Sequence, residues 1–352
     1  PTYTRGIVTN QPAPESGIAV WNGSLMYVAS FNNLYSYDPT TDIWNIVSNQ
    51  GFTSNQSQAI WTGTEIIFWN GDSGSGARYN PSTDTWVNLP LTNAPSTRAF
   101  YSMLWDGSRV IIWGGFSFSS SDLNSGAMYN PSTNTWTTMN ISGAPTARLS
   151  HTAIWNNVGS RMIVWGGSNS SGGVFLNTGA IFNPVSNTWT GATNITGAPS
   201  IRDSHTAVWT GTEMLIFGGI SSSQTLNTGG KYNPVTNSWT ATSTAGVHSV
   251  SLHAAVWTGT AMFITGGTNS FGAITGLSYS YNPITNLWTN IGGFDEGKRD
   301  HYSFYANNMI VVWGGLNSTL SYSNTGSRYF LTDIVSSVTF IYKKTLYLYQ
   351  KN

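Results

Sequence analysis

Short apolar runs of four to six residues recur along the chain, and each is bounded by Gly, Asn, Pro or Asp. The third repeat shows the pattern: "RAFYSMLW" from Arg98, "RVIIWGG" from Arg109, "SGAMYNP" from Ser125 and "NTWTTMN" from Asn134. Runs of this length, rich in β-branched and aromatic residues, predict β-strands. Each repeat therefore predicts four short strands, A to D, and no segment of the sequence shows a convincing amphipathic helix.

The connections between these runs carry turn residues. A Gly stands two residues after the Trp in "WTGTE" at Trp61 and in "WDGSR" at Trp105, where a tight hairpin needs a positive φ. This predicts the A-to-B hairpin. In "YNPSTNTW" from Tyr129, the Asn-Pro pair starts a turn before Trp136 begins the next strand. This predicts the C-to-D turn.

The C-to-D phrase recurs six times, and its Trp falls at positions 44, 86, 136, 189, 239 and 288. The steps between these positions are 42, 50, 53, 50 and 49 residues, and in five repeats strand B closes on a Gly-Gly pair. A period near 50 residues is typical of kelch repeats. In the order of Gly-Gly, Tyr-Asn-Pro and Trp, residues 3 to about 330 resemble the kelch repeat of β-propellers. The stretch "HTAVWTGTEMLIFGG" from His205 is similar to kelch repeats of bacterial exported and surface proteins.

Counting A-to-B hairpins predicts an all-β, seven-bladed kelch-type β-propeller with four antiparallel strands per blade; the hairpins follow Trp21, Trp61, Trp105, Trp155, Trp209, Trp257 and Ala306. The seventh repeat lacks a D strand of its own. We expect the N-terminal strand around Tyr3 to complete it, which removes the open sheet edges. The predicted propeller spans residues 1–331. Residues 332–352 then form a C-terminal β-hairpin or tail, or alternatively supply the missing strand.

Composition narrows the classes of partner. Only 8% of the 352 residues are charged and the net charge is zero, so no electrostatic footprint for nucleic acid or an anionic membrane is present. There is no Cys, which removes disulfides and thiolate chemistry. The longest apolar runs are strand-sized, so no membrane insertion is expected. The resemblance implies an extracellular or cell-surface location, with a signal peptide absent from this chain.

The resemblance also implies that strand A lines a central channel and that the D-to-A and B-to-C connections form one face, where ligands usually bind. Counting back seven residues from the A-strand Trp gives Arg98, Arg148 and Arg202, and the same count from Ala306 gives Arg299. At the channel mouth they would form a partial crown that binds carboxylates or sulfates bidentately. The alternative is a structural role against backbone carbonyls. Blade six has Val250 at this position.

Histidines provide a second candidate. His151, His205 and His253 occupy equivalent positions in strand A, and this alignment places Tyr101 and Tyr302 at the same position. Exchange with Tyr favours a hydrogen-bonding, packed residue over a metal ligand. We therefore predict no metal site and no cofactor. His248 and His301 are expected to lie exposed at the ring face.

The B-to-C loops vary most and combine small polar residues with aromatic ones. Five aromatic residues are candidates for ligand contact: Phe116, Phe118, Phe175, Phe271 and Tyr322. Aromatic faces among hydroxyls and amides suit a sugar ring or a polar protein surface, although these side chains could instead pack against their own blades.

Three functions remain. The first is a non-catalytic module that binds a glycan or protein partner through the arginines and loop aromatics. The second is a structural subunit of an extracellular assembly, docking through residues 332–352. The third is an enzyme similar to kelch-type sialic acid epimerases, with Arg148 or Arg202 holding the substrate carboxylate. No catalytic residues are assigned, because the sequence shows no carboxylate pair at acid/base separation.

Overall fold

The structure is a computed structural model that describes residues 2–7, 17–30, 33–49, 57–119, 121–170, 173–222, 224–294 and 296–332. Every element of regular secondary structure within these ranges is a β-strand. The strands form seven four-stranded antiparallel sheets, which confirms the predicted seven-bladed propeller. In six of the sheets the strands run A, B, C, D in chain order.

The first three blades are built from consecutive strands. Blade one contains β2 (Gly17–Trp21), β3 (Met26–Ser30), β4 (Asn33–Asp38) and β5 (Ile43–Asn49). Blade two contains β6 (Ser57–Trp61), β7 (Ile66–Asn70), β8 (Ser75–Asn80) and β9 (Thr85–Asn88). Blade three contains β10 (Ser102–Trp105), β11 (Val110–Trp113), β14 (Gly126–Asn130) and β15 (Thr135–Thr138), with a small hairpin of β12 (Phe116–Ser117) and β13 (Ser121–Asp122) in its B-to-C loop.

Blades four and five repeat this plan. Blade four contains β16 (Thr152–Asn156), β17 (Arg161–Trp165), β20 (Gly179–Asn183) and β21 (Thr188–Ala192), with the loop hairpin β18 (Ser168–Asn169) and β19 (Val174–Phe175). Blade five contains β22 (Thr206–Trp209), β23 (Met214–Phe217), β26 (Gly229–Asn233) and β27 (Ser238–Ala241), with the loop hairpin β24 (Ile220–Ser221) and β25 (Gln224–Thr225).

The chain ends meet in the seventh blade. Blade six contains β28 (Ala254–Trp257), β29 (Met262–Thr265), β30 (Leu277–Asn282) and β31 (Leu287–Gly293). Blade seven contains β32 (Tyr302–Ala306), β33 (Met309–Trp313), β34 (Gly326–Thr332) and the N-terminal strand β1 (Thr2–Ile7). Strand β1 pairs antiparallel with β34, from Thr2 opposite Thr332 to Ile7 opposite Ser327. The first strand of the chain is therefore the outer strand of the last blade.

The C-terminal hairpin expected over residues 332–352 lies outside the described residues, apart from Thr332 at the end of β34. The division of the chain at residue 331 stays a prediction.

The core is divided among the blade interfaces. Seven clusters of buried apolar residues each join two neighbouring blades. The cluster between blades seven and one contains Val311 and Trp313 from one side and Met26 and Val28 from the other. Across the same interface the rings of Trp44 and Trp313 lie 4.6 Å apart. Because burial of apolar surface drives association of the blades, this last interface holds the ring closed.

The recurring C-to-D phrase builds a turn from its own side chains. The buried Tyr129 hydroxyl donates to Asn134 Oδ1 at 2.7 Å, and Asn134 has φ +54°. The Asn130 side chain accepts the backbone N–H of Ser132 at 2.9 Å. Asn tolerates the left-handed conformation better than most residues, which accounts for its place before the Trp strand. The corresponding Tyr–Asn pairs in blades five and six are Tyr232–Asn237 and Tyr281–Asn286.

The Trp that ends the phrase joins neighbouring blades. Trp136 Nε1 donates to the carbonyl of Pro90, which follows the D strand of blade two, at 2.9 Å. Equivalent bonds run from Trp189 to Asn140, from Trp239 to Asn194 and from Trp288 to Ser243. The same phrase therefore closes a turn within one blade and staples that blade to the one before it.

Basic side chains bond the Pro of the phrase in the next blade. Arg109 Nη1 donates to the Pro184 carbonyl at 2.8 Å. The other donor and acceptor pairs are Arg78 with Pro131, Lys231 with Pro283 and Arg328 with Pro39. The Arg328 bond crosses from blade seven to blade one, beside an ion pair of Arg328 with Asp42 at 3.2 Å. These contacts add directional bonds to the apolar interfaces.

Candidate functional site

The B-to-C loops and the D-to-A links lie at the same end of the blades, and we call this end the loop face. Its inner edge is a chain of backbone bonds between blades. The N–H groups of Ser150, Ser204, Leu252 and Asp300 each donate to the equivalent carbonyl of the preceding blade, beginning with Phe100, at 3.1, 3.3, 3.1 and 3.0 Å. All five residues have φ between 50° and 54°. We call this set the channel rim. Repeated left-handed conformations at non-glycine residues are a recognised feature of functional sites.

The Gly-Gly pair after strand B is required by close packing behind the rim. Gly115 has φ +99°, and a Cβ added there would lie 2.5 Å from the carbonyl oxygen of Ala99. Gly114 has φ +69°, and its added Cβ would lie 2.6 Å from His151 Cε1 of the next blade. Only glycine meets both conditions.

A cavity of about 560 Å³ opens inside the rim, along the axis of the ring. Its walls come from strands A of blades one, two and seven and from the residues just before strand A of blade three. They include Ile18, Gln58, Tyr302 and Phe304, and the rim residues Phe100 and Asp300 lie at the same cavity. This volume falls within the range of about 300–1,000 Å³ that is usual for ligand pockets.

The arginine crown predicted from the sequence is not open to ligand. Arg98, Arg148 and Arg202 are at most 2% exposed. Arg202 Nη1 donates to the carbonyls of Gly218 and Thr228 at 2.9 and 2.6 Å, and Nε donates to the carbonyl of Ser200 at 2.9 Å. Its Nη2 donates to the hydroxyls of the same Ser and Thr.

Arg98 and Arg148 make the corresponding bonds. Arg148 Nη1 donates to the Gly166 and Thr178 carbonyls, and Arg98 Nη1 to those of Gly114 and Ser125. Burial lowers the pKa of each of these three arginines to about 10. Their guanidiniums tie the start of strand C to the end of strand B, which favours the structural alternative over the predicted ligand role.

In blade seven the equivalent cation is Lys298, which the sequence reasoning missed, and not Arg299. Lys298 Nζ donates to the Thr325 carbonyl at 2.9 Å and lies 3.4 Å from the carboxylate of Glu296. Tyr305, which pairs with Ile310, stands where blade five has Trp209 paired with Met214. Counting back from Ala306 instead of Tyr305 therefore shifted the alignment by one residue.

A count from the buried histidine would have found the lysine, because Lys298 precedes His301 by the three residues that separate Arg148 from His151. The side chain of Arg299 is 28% exposed at the loop face, where its Nε lies 3.6 Å from Asp300. Of the four predicted arginines, Arg299 alone retains a position suited to ligand contact.

The same shift of one residue also corrects the alignment of the histidines in blade seven. His301 was expected at the surface, yet it is buried and equivalent to His151, His205 and His253, so Tyr302 is not their counterpart. His205 Nε2 lies 2.9 Å from Thr152 Oγ1 and His253 Nε2 lies 2.7 Å from Thr206 Oγ1, each in the preceding blade. Burial lowers the pKa of His253 and His301 to about 3. Each of these neutral imidazoles thus bonds a hydroxyl group of the preceding blade through Nε2.

The loop aromatics divide into two groups. Phe118, Phe271 and Tyr322 are 79%, 92% and 52% exposed, whereas Phe116 and Phe175 are half-buried. Phe116 contacts Phe118 edge-on, with ring centroids 5.3 Å apart. The rim residue Phe100, which the sequence reasoning did not select, is 53% exposed. Its place immediately before the buried Tyr101 would have identified it once the strand register was known.

The described carboxylates at the loop face order the loops. Asp122 accepts the backbone N–H and hydroxyl of Ser170 at 2.9 and 2.6 Å, which joins the loops of blades three and four. Asp203 Oδ2 accepts the hydroxyl of Ser168 at 2.7 Å. Burial raises the pKa of Glu296, but hydrogen bonds and the charge of Lys298 outweigh burial and lower this pKa to about 2. The hydrogen bonds come from Asn317, Ser323 and Thr325.

Blade six contains a second cavity, of about 240 Å³, at the place that the buried cation occupies in its neighbours. Val250 stands at the position of Arg202 and forms part of the wall. The remaining walls include Ile264, Leu277 and Tyr279. We call this cavity the blade-six well.

The fold and this face define the molecule as a closed β-propeller whose loops converge on an axial opening. The profile of the family described as "KLHDC2/KLHL20/DRC7 Kelch-repeats domain" matches residues 118–315, more than half of the chain. The chain therefore belongs to the kelch-repeat propellers, and such a domain indicates a protein-interaction module. No curated protein matches the sequence.

Within the described ranges, no helix is long and apolar enough to cross a membrane. Nor do three or more His, Asp or Glu side chains in the described ranges come together in a way that could hold a metal ion.

Proposed function

We propose that this chain is a non-catalytic binding module that recognises a polypeptide partner with its loop face. The observation that carries the proposal is the exposure of Phe118, Phe271 and Tyr322 on loops of three blades around one opening. Aromatic side chains contribute large contact area for little loss of conformational entropy, and they are enriched in protein interfaces. Surface aromatics on loops held by a rigid scaffold are typical of recognition sites.

The fixed geometry of the rim supports this function. Backbone bonds link the rim residues of five consecutive blades, and the Asp122–Ser170 contact ties adjacent loops together. A preorganised surface loses less entropy when it binds, so more of the contact energy remains as affinity. The low content of charged residues favours a partner surface with few charges, because charges at an interface chiefly steer oppositely charged partners.

A glycan partner is the second candidate. The loops carry hydroxyl and amide side chains beside the exposed aromatics, a combination that also suits sugar rings. The epimerase alternative rested on Arg148 or Arg202 holding a substrate carboxylate, and both are buried with their donors bonded to the protein. We do not propose that activity. An extracellular location belongs to the same proposal and rests on the resemblance to exported proteins; protease accessibility on intact source cells tests it.

The test uses paired variants of the whole chain. Selection from a displayed peptide library, in parallel with a glycan array, supplies ligands. The double variant Phe118→Ser, Tyr322→Ser should weaken the binding of a selected ligand at least about tenfold, since exposed aromatic anchors contribute about 1–2 kcal/mol each at interfaces. The control is the double variant Val235→Ser, Ile284→Ser. These two residues are 89% and 92% exposed, and they lie in C-to-D turns at the end of the blades opposite the loop face.

Peptide binding that is lost in the loop-face variant and kept in the control supports the proposal. Binding that is lost only in the control variant contradicts it. If only the glycan array gives binding, and this binding is lost in the variant of Phe118 and Tyr322, the partner is a glycan and not a polypeptide.

A further inference from the structure

Five blades contain the same structural position between the end of strand B and the start of strand C. In blade five the position is filled by Arg202, whose Nη1 bonds the carbonyls of Gly218 and Thr228. In blade seven it is filled by Lys298, which bonds the Thr325 carbonyl. Each of these cations is almost fully buried. The repeat thus provides several examples of what this position binds.

Blade six differs at three places at once. Val250 replaces the cation, Leu277 stands where blade five has Thr228, and His248 stands where it has Ser200. The backbone hydrogen bond at this position is kept, since Gly266 N donates to the Leu277 carbonyl at 2.9 Å as Gly218 N does to the Thr228 carbonyl at 3.1 Å. The substitutions remove the guanidinium and the hydroxyls that it used, and they leave the blade-six well of about 240 Å³.

The chemistry of the well follows from these changes. Its sides are formed by Val250, Ile264, Leu277 and the ring of Tyr279. Such walls favour an apolar group by about 25 cal/mol per Å² of surface removed from water. They disfavour an isolated buried cation, which needs several acceptors. The volume is below the range of about 300–1,000 Å³ for drug-sized ligands, so it suits a single side chain.

The inner end of the well keeps two acceptors. The carbonyls of Gly266 and Leu277 correspond to the two that accept Nη1 of Arg202 in blade five. A group that enters the well therefore gains most if it carries an N–H or O–H at its far end. Tryptophan and tyrosine combine an apolar ring with one such donor.

The well opens at the loop face, where residues of the B-to-C loop of blade six line it. Phe271 is 92% exposed there, and the exposed His248 is held by a 2.8 Å hydrogen bond between its Nδ1 and the Tyr279 hydroxyl. Phe271 lies on a loop that Asn269 Oδ1 orders by accepting the backbone N–H of Phe271 at 2.9 Å. An entering ring would meet an aromatic face at the entrance.

We propose that the blade-six well binds the side chain of a tryptophan or tyrosine from the polypeptide partner, with the ring between Val250 and Leu277 and its donor on the Gly266 carbonyl. Only the identity of the partner rests on the proposed function, because the well itself is tested with small molecules that do not involve Phe118 or Tyr322.

The experiment measures binding of N-acetyltryptophan amide and N-acetyltyrosine amide to the whole chain by ligand-observed NMR. A fluorinated tryptophan amide avoids interference from the protein's sixteen Trp residues. N-acetylphenylalanine amide should bind up to about tenfold more weakly, since it lacks the donor. Agmatine, an alkylguanidinium, should not bind. Methyl resonances of Val250, Ile264 and Leu277 should shift with the tryptophan amide.

Two variants locate the site. The double variant Val250→Arg, Leu277→Thr introduces the cation of blade five and one of its two hydroxyl partners, and it should abolish binding by filling the well. Phe271→Ala changes only an exposed side chain, so it should fold normally and weaken binding about threefold to tenfold. The control Ile284→Ser should bind as the unchanged protein does.

Three results would overturn the proposal: agmatine binding in place of the aromatic amides, undiminished binding by the folded double variant, or tryptophan binding that leaves the three sets of methyl resonances unshifted. If the double variant does not fold, Phe271→Ala and the methyl shifts still decide. A negative result here leaves the test with Phe118 and Tyr322 unaffected.

Discussion

Trp239 Nε1 donates to the main-chain carbonyl of Asn194, which follows the D strand of the preceding blade, at 2.9 Å, while the Asn194 N–H donates to Asn237 Oδ1 at 2.8 Å. The most repetitive phrase in the sequence is thus a connector between blades. A side chain that bonds outside its own repeat explains why the phrase is kept in blade after blade.

Replacing Trp239 tests this connection. Trp239→Phe keeps an aromatic ring against Trp165, whose centroid is 5.2 Å away, and removes the N–H donor. We expect the free energy of unfolding to fall by about 1–2 kcal/mol, and by about 3–5 kcal/mol for Trp239→Ala, in urea titrations. Val235→Ala, at an 89% exposed site of the same blade, should change it by less than about 0.5 kcal/mol. An unchanged Trp239→Phe would show that the bond contributes nothing.

Removal of a buried guanidinium should affect stability. Arg202→Met leaves the Gly218 and Thr228 carbonyls without the charged donor that bonds both of them. We expect a loss of about 3 kcal/mol or more in the free energy of unfolding. Arg161→Met, which removes bonds only to the adjacent turn, should cost less than about 0.5 kcal/mol. A stable Arg202→Met protein that loses ligand binding would restore the arginine crown as a binding site.

Acidification should destabilise the ring through its buried histidines. The unfolded-state pKa of histidine is about 6.5, and burial lowers the pKa of His151, His253 and His301 to about 3 in the folded protein. The unfolded chain therefore binds more protons than the folded chain between these values. Stability is present above pH 6.5 and falls as the pH drops toward 3.

Each such histidine contributes a slope of about 1.4 kcal/mol per pH unit in this window. Urea titrations from pH 7 to pH 5 should show the fall, and His253→Gln should reduce its slope while lowering stability at pH 8. The same slope in His253→Gln as in the unchanged protein would mean that this imidazole is protonated in the folded state.

Deletion of residues 1–7 should open blade seven. Strand β1 pairs with six of the seven residues of β34, so its loss exposes a sheet edge from Ser327 to Thr332. Exposed edges promote association between chains. We expect a lower unfolding midpoint and concentration-dependent oligomers by light scattering, and rescue by an added peptide of residues 1–7. A monomeric deletion variant of normal stability would show that β1 does not close the ring.

Much of the fold of this protein could be predicted from its sequence alone. The number of A-to-B hairpins predicted seven blades, and the spacing of Trp136, Trp189 and Trp239 predicted the repeat, because each blade must form the same strands and turns in the same order. The Gly-Gly pairs, the A-to-B glycines and the outer position of the N-terminal strand followed from local backbone chemistry and from the need to cover a sheet edge.

Tertiary structure alone decided where the arginines point. Arg148 and Arg299 look alike in sequence, but one is fully buried against carbonyl groups and the other lies partly exposed beside Asp300. In blade seven Tyr305, and not Ala306, takes the place of the A-strand Trp, so a count from Ala306 is wrong by one residue, and alternate residues of a strand face opposite sides. The blade-six well likewise depends on Leu277 lying beside Val250 and His248 in the folded chain. Leu277 is far from the other two in sequence, and no motif marks any of the three residues. Spacing along the chain fixes which strands pair, whereas burial depends on what the neighbouring blade places opposite each side chain.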